Sequence, residues 1–253
     1  MLSSIRTIVA IFSTLLIVNC QSPSTSSTSE ADPGKRIEVS KAAQAPKLDG
    51  YAYDACWKNI DWLPINQRWL GEPYSPEDFS GHYKMTWHGD QLYLLVEIVD
   101  DAFVDNITNP LERYWDDDCL EIFIDEDASG GNHQYNHNAF AYHIAKNGDV
   151  LDIGPDSVAH FYNQNLYSVY THNANIYTWE VAMYIFDDTF QDGSTANTPV
   201  KLAEGKEMGF AIAYCDNDFS KERENFIGSV VVEGEDKNRG WIDAGIFGRI
   251  TLK

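Results

Sequence analysis

Residues 114–125, which read YWDDDCLEIFID, place an aromatic ring and several carboxylates close together in the chain. In an extended chain successive side chains alternate between faces, so Leu120 and Ile122 would point into a core. Glu121 would then lie on the opposite face, together with Trp115 if the strand geometry continues back that far. A flat indole covers the apolar face of a pyranose while a carboxylate accepts its hydroxyls, so one interpretation is sugar recognition. A core tryptophan followed by acidic residues that keep a strand edge soluble explains the same motif.

A second aromatic candidate, Trp241, follows the polar residues 237–240, Lys-Asn-Arg-Gly. This stretch predicts a solvent-exposed loop, and an exposed tryptophan on a polar loop is typical of a recognition site. Arg239 could donate to hydroxyls as a fork-shaped cation, or remain a solvated loop charge. The alternative is that Trp241 belongs to the core near the last strand.

The carboxylates near residues 116–121 also permit a glycoside hydrolase as an alternative. Asp116 and Asp118 would lie about 6.6–6.8 Å apart on an extended strand. An inverting glycosidase requires ~6.5–9.5 Å, so the distance alone does not exclude catalysis. Neighbours on one strand lie side by side, however, and cannot flank an anomeric carbon from opposite faces. We therefore predict that the chain is not an enzyme.

A haem-binding redox domain with a β-sandwich fold is a further alternative. In such domains Met, His or Lys side chains serve as the axial ligands of the haem iron. The chain has four Met. Met183 is predicted to face the core, and Met85 lies on a strand. Neither is paired with a His or Lys at a recognisable spacing, which argues against haem.

Calcium is the expected cofactor, because Asp125, Asp127 and Ser129 alternate along the chain and precede Gly130. This spacing matches the first half of an oxygen-ligand calcium loop. The twelfth position is Asn136 rather than Glu and the flanks are strand-like, which excludes an EF-hand. A solvated acidic turn is the alternative interpretation of these residues.

The elements that would position these residues lie in the body of the chain, residues 36–253. Its short segments rich in β-branched and aromatic residues are mostly bounded by Gly, Asn, Asp or Pro. No window keeps an apolar helical stripe over three turns. The pattern predicts an all-β fold, a single antiparallel β-sandwich of about nine or more strands. The predicted strands are Tyr83–Trp87, Leu92–Ile98, Cys119–Ile124, Ala139–Ala145, Leu166–Thr171, Ile176–Ile185, Met208–Cys215, Phe226–Val232 and Arg249–Leu252.

The first 20 residues are typical of an export signal, with Arg6 followed by the apolar run Ile8–Val18. The run is too short to cross a bilayer, whose ~30 Å core needs about 20 residues. Cys20 directly after it is similar to a bacterial lipoprotein signal, so we expect Cys20 to be a lipid anchor. Ordinary secretion, with Cys20 lost in the removed peptide, is the alternative. Residues 21–35 form a Ser/Thr/Pro-rich tether.

These features predict an exported protein, a cell envelope lipoprotein at the outer membrane or cell surface, and otherwise a secreted one. The membrane would be contacted only through the lipid anchor. The 18 basic and 39 acidic side chains give a formal net charge of −21, and such a surface repels nucleic acid. Cys56, Cys119 and Cys215 show neither zinc-site spacing nor a nearby Cys–His pair, and we predict them to be small buried hydrophobes.

Short motifs follow one another in a defined order along residues 46–252. They are Leu48-Asp49-Gly50 with Asp54 and Trp57, Trp87 with Leu92-Tyr93-Leu94, Asp100-Asp101, Trp115–Asp125, Tyr177–Tyr184, Gly209-Phe210, and Trp241 with Phe247-Gly248-Arg249-Ile250. Each motif is modest alone, but their order and spacing together are specific. The chain thereby resembles family 9 carbohydrate-binding modules.

The resemblance implies a β-sandwich that binds sugar units between two parallel indole rings, here Trp115 and Trp241. It further implies Glu121 as the sugar-binding carboxylate, Asn238 as the binding amide, and structural calcium in the body. We therefore predict non-catalytic binding of one or two sugar units of a polysaccharide or oligosaccharide by a monomer, with Arg239 as an additional contact.

Two polar contacts of the family are missing from this sequence. Ala213 stands where an amide is expected, and Ala141 stands near the position of an arginine. The aromatic clamp is therefore retained while the polar groups around it differ, so the resemblance does not fix which sugar is bound.

Overall fold

The computed structural model describes residues 36–253. The predicted signal segment, Cys20 and the tether lie outside the described residues. Fourteen strands occur within the described part. They are β1 (Ile37–Val39), β2 (Leu63–Ile65), β3 (Gln67–Leu70), β4 (Phe79–His88), β5 (Gln91–Asp100), β6 (Cys119–Asp125), β7 (Phe140–Ile144), β8 (Val150–Ile153), β9 (Ala159–Phe161), β10 (Leu166–Asn173), β11 (Ile176–Tyr184), β12 (Glu207–Asp216), β13 (Asn225–Gly228) and β14 (Gly248–Leu252).

The strands form two sheets, as predicted for a β-sandwich. The larger sheet has the order β1-β14-β12-β6-β7-β8-β9, with β13 pairing β12 and β3 pairing β13. The second sheet has the order β10-β11-β5-β4-β2. Neighbouring strands run antiparallel except β1 and β14, which are parallel. The helices in the described part are short 3-10 turns at Ala55–Asn59, Tyr114–Asp116, Arg239–Trp241 and Ala244–Ile246. None of them has the length and apolar character needed to cross a bilayer.

The core between the sheets follows the alternation of the longer strands. Trp179, Val181 and Met183 on β11 are fully buried on one face, as their spacing predicts. From the larger sheet, alternate residues of β6 and β12 meet them. Burial of such side chains contributes roughly 1.5–3 kcal/mol each, and this burial is the main stabilising contribution to the sandwich.

The opening motif around Asp49 covers the outer face of the second sheet. The buried carboxylate of Glu180 on β11 accepts from the backbone N–H groups of Asp49 and Gly50, at 2.9 Å each. Its other oxygen accepts from Nε1 of Trp57 at 3.4 Å. Gly50 has φ +79°, and a Cβ there would lie 2.5 Å from Cγ2 of Thr171, so glycine is required. The motif is therefore a structural anchor.

Candidate functional site

A pocket of about 320 Å³ opens on the outer face of the larger sheet. On β6, Leu120 and Ile122 face the core between the sheets. Glu121, between them, faces the opposite side and lines the pocket. Ala213 of β12 is the strand partner of Glu121. On its other side Glu121 pairs with His143 of β7, and Ala141 lies two residues before His143 on the same face of that strand. Ala141 lines the pocket, and its small side chain leaves room there.

The pocket gathers aromatic and polar side chains from distant parts of the chain. Its aromatic lining consists of Tyr114, Trp115, Tyr135, Phe226 and Trp241. Its polar lining consists of Glu121, His133, Gln134, Asn136, His143, Asp152, Arg223 and Asn238. Of the residues predicted from the sequence to bind sugar, Trp115, Trp241, Glu121 and Asn238 all lie in this one pocket, whereas Arg239 does not line it.

Trp115 is held by a 3-10 turn, Tyr114–Asp116, and not by a strand. The strand geometry does not continue back from Glu121 to Trp115, because β6 begins only at Cys119. Trp115 is half-buried, and its ring meets that of Tyr114 edge-on at 5.1 Å between centroids.

The three aspartates after Trp115 hold backbone segments in place. Asp116 accepts from Nε of Arg113 at 2.8 Å. Asp117 accepts from the backbone N–H groups of residues 106 and 107, and Asp118 from those of residues 104 and 217. Asp116 and Asp118 are buried, and neither lines the pocket. The structure therefore gives no support to a hydrolase that acts through this pair.

Trp241 is carried by a loop that a second loop fixes in place. Nε2 of the buried His133 donates to the carbonyl of Gly240 at 2.7 Å, and the N–H of His133 donates to the carbonyl of Ile242 at 3.0 Å. Burial lowers the pKa of His133, so its ring is neutral when it donates here. A Cβ on Gly240 would lie 3.0 Å from Phe123. Trp241 itself stays 38% exposed, so the alternative of a core residue is excluded.

Arg239 shapes the same loop from its outer side. Its Nη1 donates to the carbonyls of Glu233 at 2.7 Å and Asp236 at 2.6 Å, and its Nε donates to Asp243 at 3.3 Å. The guanidinium is thus occupied within the loop, and we assign Arg239 to loop structure.

The floor of the pocket is an ion pair between Glu121 and His143, which pair across β6 and β7. Oε2 of Glu121 lies 3.0 Å from Nε2 of His143. Burial alone would lower the pKa of His143, but the Glu121 carboxylate and the neighbouring Cys215 raise it to about 10. Within residues 36–253, Oε1 of Glu121 accepts no hydrogen bond, so this atom is left for a ligand.

Arg223 links the floor to the Trp241 loop. Its Nη1 donates to Sγ of Cys215 at 3.1 Å and its Nη2 donates to Oδ1 of Asn238 at 2.9 Å. The amide nitrogen of Asn238 therefore remains to donate to a ligand. His143 and Arg223 are basic residues of the pocket lining, whereas Ala141 contributes no polar side-chain group there.

Sequence reasoning missed His143, Asp152 and Arg223 as lining residues. Alternation along β7 places His143 on the face of Ala141, but the register that sets it beside Glu121 cannot be read from one strand. Burial raises the pKa of Asp152 to about 7, and its carboxylate accepts from the N–H of Ala141 at 2.8 Å. Arg223 lies in the loop before β13, and no motif marks it.

The predicted calcium loop is closed by its own hydrogen bonds. Oδ2 of Asp125 accepts from the N–H of Gly130 at 2.7 Å, and Asp127 accepts from that of Ser129 at 2.9 Å. Asp127 and Ser129 are exposed, and the three side chains do not form one of the clusters of converging ligand atoms found within residues 36–253.

A different set of carboxylates fits calcium by its chemistry. Asp100, Asp118 and Asp216 are buried, and each offers an oxygen within 4.8 Å of the others. Burial, reinforced by the neighbouring carboxylates, raises the pKa of Asp118 to about 10 and that of Asp216 to about 8. Three buried carboxylates disfavour one another's charge, and hard oxygen ligands are what Ca²⁺ binds.

The Met residues expected for the haem alternative lie in the core. Met85, Met183 and Met208 are all buried between the sheets, and none lines the pocket. The pocket therefore presents no thioether ligand, and the structure does not favour haem.

Known proteins share both the sequence pattern and the fold. A sequence profile described as carbohydrate family 9 binding domain-like matches residues 48–253. Comparison with the curated proteins gave no match. A family 9 carbohydrate binding module from Caldicellulosiruptor kristjanssonii in complex with cellotriose is similar, with 21% identity, a TM-score of 0.62, and coverage of 87% of this chain and 94% of that chain. The corresponding glucose complex has the same identity and TM-score, with coverage of 87% and 96%. At this identity the likeness to the solved structures shows the fold.

Proposed function

Because the chain belongs to the carbohydrate family 9 binding domain-like family, a family of non-catalytic binding modules, we propose that its pocket binds one or two sugar units between Trp115 and Trp241. The two indoles would cover the apolar faces of a pyranose. The bound molecule would be an oligosaccharide, or a terminal part of a polysaccharide that reaches into the pocket.

One observation carries the proposal. Trp115 and Trp241 lie far apart in the sequence, on separate short turns, yet they line one pocket together with Glu121 and Asn238. A core role for Trp241 would require burial, whereas its ring is more than a third exposed. Aromatic side chains with a solvent-exposed ring face beside polar atoms that lack a partner are typical of recognition sites.

The polar groups of the pocket would orient the sugar. Oε1 of Glu121 would accept from a hydroxyl, and the amide nitrogen of Asn238 would donate to another. A small clamp buries little area, so we expect a dissociation constant on the order of 10–100 µM, or about −5.5 to −7 kcal/mol.

A glycan array, probed with the purified protein, tests this function. Binding to a defined set of saccharides, with competition by free cellotriose or another bound oligosaccharide, is the expected result. Cellotriose is included because the similar module from Caldicellulosiruptor kristjanssonii was solved with it. If the protein bound none of the saccharides on the array, the proposal would be overturned.

The residues that would hold a structural calcium ion are Asp100, Asp118 and Asp216. The ion would neutralise three carboxylates at the end of β5, before β6 and at the end of β12. It would stabilise the loops that follow those strands, including the one that carries Trp115. It has no role in contacting the sugar.

Attachment to the cell envelope through Cys20 would keep bound glycan near neighbouring enzymes. The support for this is the lipoprotein-like signal in the sequence. Cys20→Ser should abolish incorporation of a labelled fatty acid in an expressing bacterium. Unchanged labelling would contradict the anchor.

A further inference from the structure

Two thiols converge with the imidazole of His143 at the pocket floor. Cys119, His143 and Cys215 are buried, and each offers one ligand atom within 4.8 Å of the others. All three described cysteines are free thiols, and Cys56 lies apart from this cluster. The sequence shows no nearby Cys–His pair because the three residues come together only across strands.

Strand register brings the three residues together. Cys215 of β12 is the register partner of Cys119 on β6. Two residues further along β6, Glu121 is the register partner of His143 on β7. Because residues two apart share a face, Cys119 and Glu121 face the same side of the sheet.

The donor atoms converge closely enough for a metal ion to contact all three. Nδ1 of His143 donates to the carbonyl of Ala141 at 3.2 Å, which leaves Nε2 for the cluster. A ligand histidine commonly fixes its ring through such a bond to a carbonyl. Oε2 of Glu121 lies 3.0 Å from that Nε2 and 4.0 Å from Sγ of Cys215.

We propose that Cys119, Cys215 and His143 bind a zinc ion, with Glu121 as the fourth ligand. Two thiolates and one imidazole, with a fourth position completed by oxygen, form a known tetrahedral zinc arrangement. Cys119 and Cys215 bind as thiolates and His143 binds as a neutral imidazole, so the thiol protons and the Nε2 proton of the ion-paired His143 pass to solvent as the ion enters. The guanidinium of Arg223, 3.1 Å from Sγ of Cys215, would balance the remaining negative charge.

This inference goes beyond sugar binding and does not rest on it. Glu121 and His143 line the pocket, whereas the two cysteines lie behind them. The ion would hold these two side chains in place and fix the pocket floor. Zinc and calcium would not compete, because the calcium candidates offer oxygen atoms alone and the zinc cluster offers two sulfurs.

Cobalt titration of the reduced, metal-free protein tests the site. One Co²⁺ per chain should produce thiolate-to-cobalt charge-transfer absorption and tetrahedral d–d bands, and Zn²⁺ should abolish both. The double variant with Cys119→Ser and Cys215→Ser should lose the charge-transfer band. The matched control Cys56→Ser should keep it.

X-ray absorption of the zinc-loaded wild type tests the ligands without any variant. Two sulfurs at about 2.3 Å, with nitrogen and oxygen completing the shell, are expected. A shell of nitrogen and oxygen alone, or loss of the cobalt spectrum in Cys56→Ser, would overturn the proposal. So would an absence of cobalt charge transfer in the reduced wild type, or a Cys119–Cys215 disulfide in protein isolated without reductant.

Discussion

At the residue scale, one strand serves both the core and the site. Leu120 and Ile122 of β6 pack between the sheets, and Glu121 between them lines the pocket. Alternation alone predicts this division. It does not predict that His143 lies beside Glu121, because that contact depends on the register of a strand from another part of the sequence.

Glu121→Gln tests the polar floor. The amide keeps the shape of the side chain but removes the negative charge that accepts from a sugar hydroxyl and pairs with His143. Saccharide binding should weaken by about 1.5–3 kcal/mol, the range for a hydrogen bond to a charged group. Isothermal titration calorimetry measures this, with Glu97→Gln on the neighbouring sheet as the control. Equal affinity in the two variants would exclude Glu121 as a ligand.

At the element scale, the alternation of apolar and polar residues and the content of β-branched and aromatic residues predicted nine of the fourteen strands in the described part of the chain. These nine are longer or more apolar than the other five. Five strands were missed: β1, β2, β3, β8 and β9. Each has three or four residues, which is too few for an alternating pattern to be recognised. The predicted strand 226–232 ends early, at Gly228, where the ring of Trp69 lies so close that a Cβ would be 2.0 Å from it. Trp62 is 37% exposed, and its ring packs on Lys84 and His82 at the surface.

Glu180→Ala tests the structural role of the opening motif. It would leave the N–H groups of Asp49 and Gly50 and Nε1 of Trp57 without their acceptor, at about 1–3 kcal/mol for each buried group. We expect a loss of roughly 3 kcal/mol or more, which lowers Tm by about 6–12 °C in a domain of this size.

The matched control for that variant is Glu97→Ala, which removes a partly exposed pair with His82. Such pairs contribute about 0–1 kcal/mol, so Tm should change little. Calorimetric melting of both variants is the measurement. A Glu180→Ala protein as stable as Glu97→Ala would show that the motif does not anchor the segment.

At the scale of the whole molecule, the site forms where loops from separate parts of the chain meet over the larger sheet. The family resemblance predicted four of the pocket residues, because motif order preserves them. The carboxylate cluster of Asp100, Asp118 and Asp216 and the thiol–imidazole cluster were not predicted. Each combines residues from separate parts of the chain, and a single sequence does not give the strand register that brings them together.

Calcium addition to the metal-free protein tests the carboxylate cluster. At a hundredfold excess over its dissociation constant, a bound ion stabilises the fold by about 2.7 kcal/mol. Tm should therefore rise by about 5–10 °C at the usual 2–4 °C per kcal/mol. Asp216→Asn should lose this response and Asp127→Asn should keep it, as measured by differential scanning calorimetry. The reverse pattern would place calcium on the 125–129 loop.

A comparison of two matched variants tests most directly whether Trp241 closes one side of a sugar clamp. Trp241 is 38% exposed and Trp62 is 37% exposed, but Trp241 alone of the two lines the pocket. Isothermal titration of the saccharide bound best on the array should show no binding to Trp241→Ala and unchanged affinity for Trp62→Ala, with little change in Tm for Trp241→Ala. Full binding by Trp241→Ala would contradict the clamp.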